Sequence, residues 1–587
     1  MSGWEVRMDL CELRASGFLD LLDVEIARAL ARAGGFPGSE VELAIALTSR
    51  NIRRGHTCFP LGTKALDLWP DESVPTGTFP SVSDWEAALR QSVLTQRGPL
   101  VLDSRHRLYF RRYWELERDV AEDLATRSAE LPQLAADPAW LESALQRLFG
   151  PDRGSPQRTA ASNAIQHRLS LLCGGPGTGK TTAVSAIIAL LAERALRQTG
   201  ITPRVVLLAP TGKSAARLAE AVNRSKAGIH APEQVLEAIP THATTIHRAL
   251  GMQRAGLQFR RDADHPIEAE VIVVDEASMV DLALMRQLLN ATPLDATLLI
   301  VGDPDQLTSV EAGSVLRDLV TANTETWWTD RVTHLTKTFR YADEQPLGQL
   351  VAAIRSGDAD EVDALLGLRG APDVAWVGLD KLPAELDRAA EHWSEMLRTT
   401  DPEAHFANRS RFVVLSPYRV GPTGTRQLGA AIEARLSGTT GRLPVVTPII
   451  IEQNSQELQV YNGDFAMLVH TDPRQAVIQR PAEGVHEIPE ARLPQYSNAF
   501  ALSVHKAQGS EFEEVLIVLP EQDAPLLTRE LLYTAVSRAK KRVRIVGPKE
   551  ILFAALQRRA QRYSGLVDAI GGAARASGSR SVYDPDQ

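Results

Sequence analysis

The sequence predicts an α/β chain with two parallel-sheet domains, a mostly helical N-terminal domain, and a small β-barrel insertion in the second parallel-sheet domain. Three observations carry this. Short continuous apolar runs alternate with helical patterns from Gln157 onward, as buried parallel strands in βαβ units do. The runs fall into two sets, which implies two sheets. A Pro-rich, β-branched stretch at about 436–495, with VVTPIII and the turn signal YNGD, interrupts the second set and reads as short strands at hairpin spacing. At 587 residues the chain is also too long for one core.

In chain order, residues 1–125 form the helical domain, with apolar positions at helical spacing in GFLDLLDVEIARALARAGG and in LYFRRYWELERDVAEDLATRSAEL. His56, Cys58, and the aromatics Tyr109, Phe110, Tyr113 and Trp114 read as packing residues there. Residues 126–150 are expected to be a linker, ending at the turn-rich FGPDRGSPQ. The first parallel-sheet domain spans 151–345, with strands at 169–173, 204–209, 271–275, 297–303 and 333–335. A short hairpin insertion is expected at about 252–268, carrying Arg254, Arg260 and Arg261. The second domain spans 346–572, with strands at 412–416, 514–520 and 542–547, and residues 573–587 read as a disordered tail.

Lys+Arg is 64 against Asp+Glu 73, a formal charge of -9. That excludes a broad basic face, so any nucleic acid would sit in a local groove. The three cysteines, Cys11, Cys58 and Cys173, form no CxxC pair, which excludes a zinc ribbon or a disulfide framework. No apolar run has the length of a membrane span, and no leader precedes the first helix pattern, so a cytoplasmic location is expected.

The stretch CGGPGTGKTT follows a predicted strand and precedes a predicted helix. Its spacing is that of a phosphate-binding loop: Gly174, Gly175, Pro176, Gly177, Thr178, Gly179, Lys180, Thr181 and Thr182. Glycines let backbone N–H groups turn inward, and the helix N-terminus adds partial positive charge. Lys180 is expected to reach the β- and γ-phosphates of ATP, and Thr181 to ligate Mg²⁺. Asp275 ends a VIVVD strand and is the expected partner of Mg²⁺; Glu276 is placed to polarise a water. Gln306, in GDPDQ, can sense the γ-phosphate.

The ordered motifs QR (157–158), GGPGTGKTT, LAPTGKSAARL, THATTIHRALG, VVDEASMVD, VGDPDQLTSVEAGSVL, LTKTFRY, YNGDF, SVHKAQGSEF and YTAVSRAKKRVRIVG resemble those of superfamily-one helicases. Within them they resemble the RecD family, the alpha subunits of the RecBCD enzyme (exodeoxyribonuclease V). The resemblance covers about residues 150–550 and implies two RecA-like domains and an SH3-like barrel insertion. It implies that Gln157 reads adenine, Phe339 stacks the base and Glu511 contacts ribose. Arg340 and Arg538, both expected from the second domain, would contact the γ-phosphate. It assigns Thr211, Lys213, Ser214, Thr245, His247, Ser503, His505 and Lys506 to single-stranded DNA. The activity implied is ATP-dependent 5′–3′ DNA unwinding in double-strand-break repair and recombination. RecB-like and RecC-like subunits would be its partners, a large partner subunit would dock on the N-terminal domain, and the RecB-like one would cut the DNA. Two alternatives remain open at this stage: a stand-alone RecD-like repair helicase, and an ATP-gated scaffold that regulates partner subunits.

Overall fold

The computed structural model describes residues 9–578, except 37, 62–78, 129–136, 253–258, 323–325, 342–344, 368–372, 398–401, 441–445, 456 and 481–483. In the N-terminal region the helices Leu10–Ala15, Leu21–Gly34, Glu40–Arg53 and Val82–Gln91 surround a small antiparallel sheet. Its strands β1 (Phe59–Pro60), β2 (Leu100–Leu102) and β3 (Arg107–Phe110) lie in the order β1-β3-β2. Leu13, Val24, Ile45, Leu89 and Leu108 close the core between them. Cys58 and His56 are buried as packing residues. Burial and the nearby Arg562 and Arg54 push His56 down to about 3, so its Nδ1 is free to accept the Tyr563 N–H at 2.9 Å.

The helix Arg111–Arg127 carries the chain to the first lobe. Its last residue, Arg127, donates to the carbonyls of Leu289, Thr292 and Pro293 at 2.9, 2.7 and 2.8 Å. These include orphan acceptors at the end of the helix Leu282–Ala291. The expected linker 126–150 is not featureless. It holds the helix Pro138–Phe149, capped by Asp137, whose Ala144 and Leu145 pack with Ile187 and Leu190. Asp137 accepts from the Ala139 N–H at 3.0 Å, the start signal that a Pro at the first helical position reinforces.

The first lobe is a six-stranded parallel sheet. Its strands are β4 (Leu169–Gly174), β5 (Val205–Ala209), β6 (Thr244–Thr245), β7 (Val271–Val274), β8 (Thr297–Gly302) and β9 (Val332–Leu335). Their order is β6-β5-β7-β8-β4-β9. β4, β7 and β8 are buried along their whole length, which is why they read as unbroken apolar runs.

The second lobe holds β10 (Val374–Val377), β11 (Phe412–Ser416), β17 (Ala501–Ser503), β18 (Phe512–Val518) and β19 (Ala539–Val546), all parallel, in the order β10-β19-β18-β11-β17. Between β11 and β17 the chain leaves to build an antiparallel sheet. Its strands are β12 (Val446–Ile451), β13 (Phe465–Val469), β14 (Gln475–Arg480), β15 (Gly484–Pro489) and β16 (Tyr496–Asn498), in the order β15-β14-β13-β12-β16. Every neighbouring pair in that order is antiparallel.

One expectation falls partly outside the described residues, and one is corrected here. Residues 259–268 of the expected hairpin carry no strand; Arg261 turns back onto the Pro266 carbonyl at 2.9 Å, and Arg260 donates its backbone N–H to Leu250 at 3.0 Å. Arg254 lies outside the described residues. The expected disordered tail begins inside a helix, Leu566–Gly578; residues 579–587 lie outside the described ones. This helix does not join the cores around the second lobe's parallel sheet. Leu566 and Ile570 join Val120 and Leu124 in the core under the first lobe. No helix among the described residues is long and apolar enough to cross a membrane.

Candidate nucleotide site

β4 ends at Gly174, and the helix Lys180–Thr199 starts after a tight turn. Gly177 (φ 75°) and Gly179 (φ 83°) are left-handed, a conformation that strains any side chain. The turn is also crowded: a Cβ on Gly174 would lie 2.7 Å from Thr178 Oγ1 and 2.9 Å from the Leu335 carbonyl. Lys180 folds back over the loop, its Nζ donating to the carbonyls of Gly174 and Gly175 at 2.6 and 2.9 Å. Thr178 is buried and ties its hydroxyl to the Gly175 carbonyl at 2.9 Å.

β7 delivers Asp275 and Glu276 beside this loop. Burial, then the neighbouring Glu276, raise Asp275 to about 6, and Lys180 opposes the rise. Glu276 adopts φ 52°, a left-handed conformation rare for a side-chain-bearing residue and concentrated at functional sites. β8 delivers Asp303, 2% exposed, whose Oδ2 accepts from Gln306 Nε2 and from the Tyr533 hydroxyl, both at 3.0 Å. Burial raises the Asp303 pKa. Gln306 Oε1 and Ser278 Oγ are buried and find no hydrogen-bond partner among the described residues.

The other wall comes from the connector after β9 and from the second lobe. Phe339 donates its backbone N–H to the Gly177 carbonyl at 2.7 Å and leaves its ring 64% exposed. A Cβ on Gly179 would lie 3.5 Å from that ring and 3.8 Å from Gln157 Nε2. Gln157 is held by Ser155 Oγ, which donates to its Oε1 at 2.8 Å. Arg340 donates to the Ser537 carbonyl at 2.9 Å and pairs with Glu511. It sits on the connector, pinned by the Phe339 bond to the phosphate loop. This corrects the expectation that both arginines come from the second domain. Arg538 does come from that lobe, buried and donating to Thr534 O and Ser510 O at 3.0 and 3.2 Å. Glu511 faces Arg340, Arg217 and Lys540.

The two lobes meet at this wall. Leu307 N–H donates to Thr534 Oγ1 at 2.9 Å, and Gln508 Nε2 donates to the Leu307 carbonyl at 3.1 Å. Tyr533 reaches across to Asp303, and its hydroxyl would sit 2.7 Å from a Cβ on Gly175. Sequence reading missed Arg217, Tyr533 and Lys540, although all three lie inside quoted motifs.

The residues assigned to DNA are more dispersed, and many are already employed. Thr211 caps the helix Gly212–Lys226 by accepting from Ser214 N–H at 3.1 Å, and also donates to Ser214 Oγ at 2.9 Å. Thr245 caps the helix Ile246–Ala249 by accepting from Arg248 N–H at 3.2 Å. Ser503 Oγ accepts the Lys506 N–H at 3.3 Å, and Lys506 Nζ pairs with Glu452 at 2.9 Å. Burial lowers the pKa of both His247 and His505. Burial also holds Lys213 well below the usual lysine range, with Arg409 and Arg217 adding to the effect. Lys506 and Ser503 line a cleft between the second lobe and the antiparallel sheet, with Arg419, Arg426 and Thr425 on its other walls.

Family models match three segments: an AAA domain at 157–312, a UvrD-like helicase C-terminal domain at 498–546, and the RecBCD enzyme subunit RecD, N-terminal domain, at 15–109. The chain is 38% identical over 567 residues to the RecBCD enzyme subunit RecD of Mycobacterium tuberculosis, covering 94% of this chain and 95% of that one. The chain belongs to the RecD family. The RecD subunit of Mycolicibacterium smegmatis is 37% identical, covering 95% of this chain and 98% of its own length. The ATP-dependent RecD2 DNA helicase of Deinococcus radiodurans is 30% identical over 70% of this chain and 52% of its own. Among solved structures, Bacteroides Pif1 bound to ssDNA aligns over 73% of this chain and 97% of that one, at 16% identity and a TM-score of 0.38. As a RecD-family member the chain is a superfamily-one helicase subunit of the RecBCD type.

Proposed function

We propose that this chain is an ATP-dependent 5′–3′ DNA helicase working inside a RecBCD-type helicase-nuclease that processes double-strand ends for repair and recombination. One observation supports it above the others. A phosphate loop from the first lobe, the connector bearing Phe339 and Arg340, and Arg538 of the second lobe enclose a single cleft. ATP bound there draws the lobes together and hydrolysis frees them. If each lobe grips the strand with different affinity in the two states, closure becomes a step along DNA.

In this reading Lys180 holds the β- and γ-phosphates and Glu276 orients the attacking water. Gln306 senses the γ-phosphate, and Arg340 and Arg538 neutralise charge in the transition state. Gln157 and Phe339 take the adenine. The backbone of 174–182 cradles the phosphates. The unpaired buried Gln306 Oε1, next to the Asp303 carboxylate, and Ser278 Oγ fit a hydrated divalent ion and a water. Thr181 and Asp275 would hold Mg²⁺, which would supply positive charge to the phosphates. The cleft at Ser503 and Lys506 and the loops at Thr211–Ser214 and Thr245–His247 would carry the strand. The antiparallel sheet would be an SH3-like barrel flanking it. The N-terminal region, with Leu21 and Leu22 exposed at 51% and 56%, would dock RecB-like and RecC-like partners.

The deciding measurement is ATP-driven unwinding of duplexes with a 5′ or a 3′ single-strand tail, by the chain alone and with partners. Unwinding from the 5′ tail is expected. Unwinding from the 3′ tail would overturn the polarity. DNA-stimulated hydrolysis with no unwinding, even with partners present, would favour the ATP-gated scaffold.

A further inference from the structure

Arg217 has no role in the reading above. It lies on the helix Gly212–Lys226 of the first lobe, beyond the capping Thr211. Its guanidinium turns toward the cleft, with a side chain 38% exposed, and pairs with Glu511 of the second lobe. Glu276, Arg538, Arg340 and Asp275 all act on its charge. So it lies within electrostatic reach of the carboxylate proposed to orient water and of the two arginines proposed to meet the γ-phosphate.

Glu511 supplies the second half of the observation. One oxygen of its carboxylate, Oε1, is shared by Arg217 and Arg340; the other, Oε2, meets Lys540 Nζ at 3.2 Å. Three cations on one carboxylate leave an excess of positive charge, with Arg538 close by. Such a cluster is an anion site in which a side chain holds the place of the anion. One of its members lies next to the phosphate loop, where a Cβ on Gly177 would be 2.3 Å from Arg340 Cβ, and Arg217 feels the charge of Glu276. A phosphoryl group has three oxygens and more charge than a carboxylate, and planar guanidinium forks match it well.

We propose that Arg217 is a third arginine of the nucleotide site, contributed by the first lobe, and that Glu511 is an internal stand-in for the γ-phosphate. While the cleft holds no triphosphate, Glu511 occupies Arg217 and Arg340. An incoming γ-phosphate takes both arginines and releases Glu511 toward the ribose. A diphosphate has no group to do this, so the exchange reports specifically on the third phosphate. The proposal rests on the nucleotide-site assignment.

The test measures equilibrium binding of a fluorescent non-hydrolysable ATP analogue and of fluorescent ADP to the full chain, alongside turnover. Arg217→Ala should weaken the analogue by ~10-fold or more, leave ADP within about twofold, and lower kcat. Arg217→Lys should recover part of the discrimination. Glu511→Gln, which keeps an acceptor for ribose but removes the competing charge, should raise the analogue-to-ADP preference above wild type. Equal losses for both ligands in Arg217→Ala, or no change in either, would overturn the proposal. So would an unchanged preference in Glu511→Gln. Lys180→Gln separates the two levels: full turnover in that variant sinks the nucleotide-site assignment itself, whereas its loss beside an indifferent Arg217→Ala removes only the role of Arg217.

Discussion

Lys180 spends its charge on two loop carbonyls, bonds that phosphate oxygens can replace with stronger ones. Lys180→Gln should therefore abolish ATP hydrolysis and keep the fold, checked by turnover and thermal melting together. Arg538 is anchored by two backbone carbonyls, so it is held in place before nucleotide arrives. Arg538→Ala should lower kcat by ~100-fold or more with a much smaller change in nucleotide affinity; equal losses in both would mean that it touches ground state and transition state alike. Tyr533 links the second lobe to the buried Asp303 through one hydrogen bond at 3.0 Å. Tyr533→Phe should cost about 1–3 kcal/mol in the stability of the lobe contact, since a buried carboxylate loses a donor; a melting midpoint equal to wild type would contradict this. At this scale the sequence was legible where a motif has fixed local spacing, as at 174–182 and 275–276. Pairs such as Arg340–Glu511 and Tyr533–Asp303 were not, because 171 and 230 residues separate the partners and only folding brings them together.

The strands show the same division. β4, β7, β8, β11 and β18 are long and largely buried on both faces, so they announced themselves as apolar runs. β6, β10 and β17 did not: β6 has two residues, and β17 has three within a turn-rich stretch. β10 reads as VAWV beside a Pro and an Asp. The helix Pro138–Phe149 was hidden by its flanking turns, although Asp137 and Pro138 marked its start. The helix Leu566–Gly578 was hidden by composition: its second half is rich in Gly, Ala and Ser, while its anchors Leu566 and Ile570 sit in the first half. Next to it lie two buried carboxylates, Glu117 and Asp318, both raised above the usual range mainly by burial. Burial, opposed by the Ser564 hydroxyl, brings Asp318 to about 7. A carboxylate whose pKa is higher folded than unfolded binds more protons in the native state, so its stability contribution is full below about pH 4 and lost as pH rises through about 7. Asp318→Asn should therefore gain melting temperature over wild type at pH 8 and much less, or none, at pH 5. A difference independent of pH would show that Asp318 does not titrate in this window.

Across the whole molecule, a charge of -9 coexists with a proposed strand path whose two lysines are already engaged. Lys506 is already paired with Glu452, and Lys213 sits among other cations in a buried setting. With about two phosphates neutralised, the salt dependence of single-strand affinity should be shallow, a slope near ~-1.4 in log–log form. A slope several times steeper would place a basic groove elsewhere on the surface. The lobe contact through Leu307, Thr534 and Gln508 adjoins Gln306, so the residue proposed to sense the γ-phosphate sits next to the place where the lobes touch.

The segment that closes the chain has a consequence for how the protein is made. Thr57 donates to the Tyr563 carbonyl, Gly565 donates to Glu117, and Arg107 reaches Asp568. Leu566 and Ile570 complete a core begun by Val120 and Leu124. During synthesis the surface of Val120 and Leu124 stays uncovered until residues 563–570 emerge, after both lobes. A chain cut short of residue 562 would carry both lobes with that core open to water.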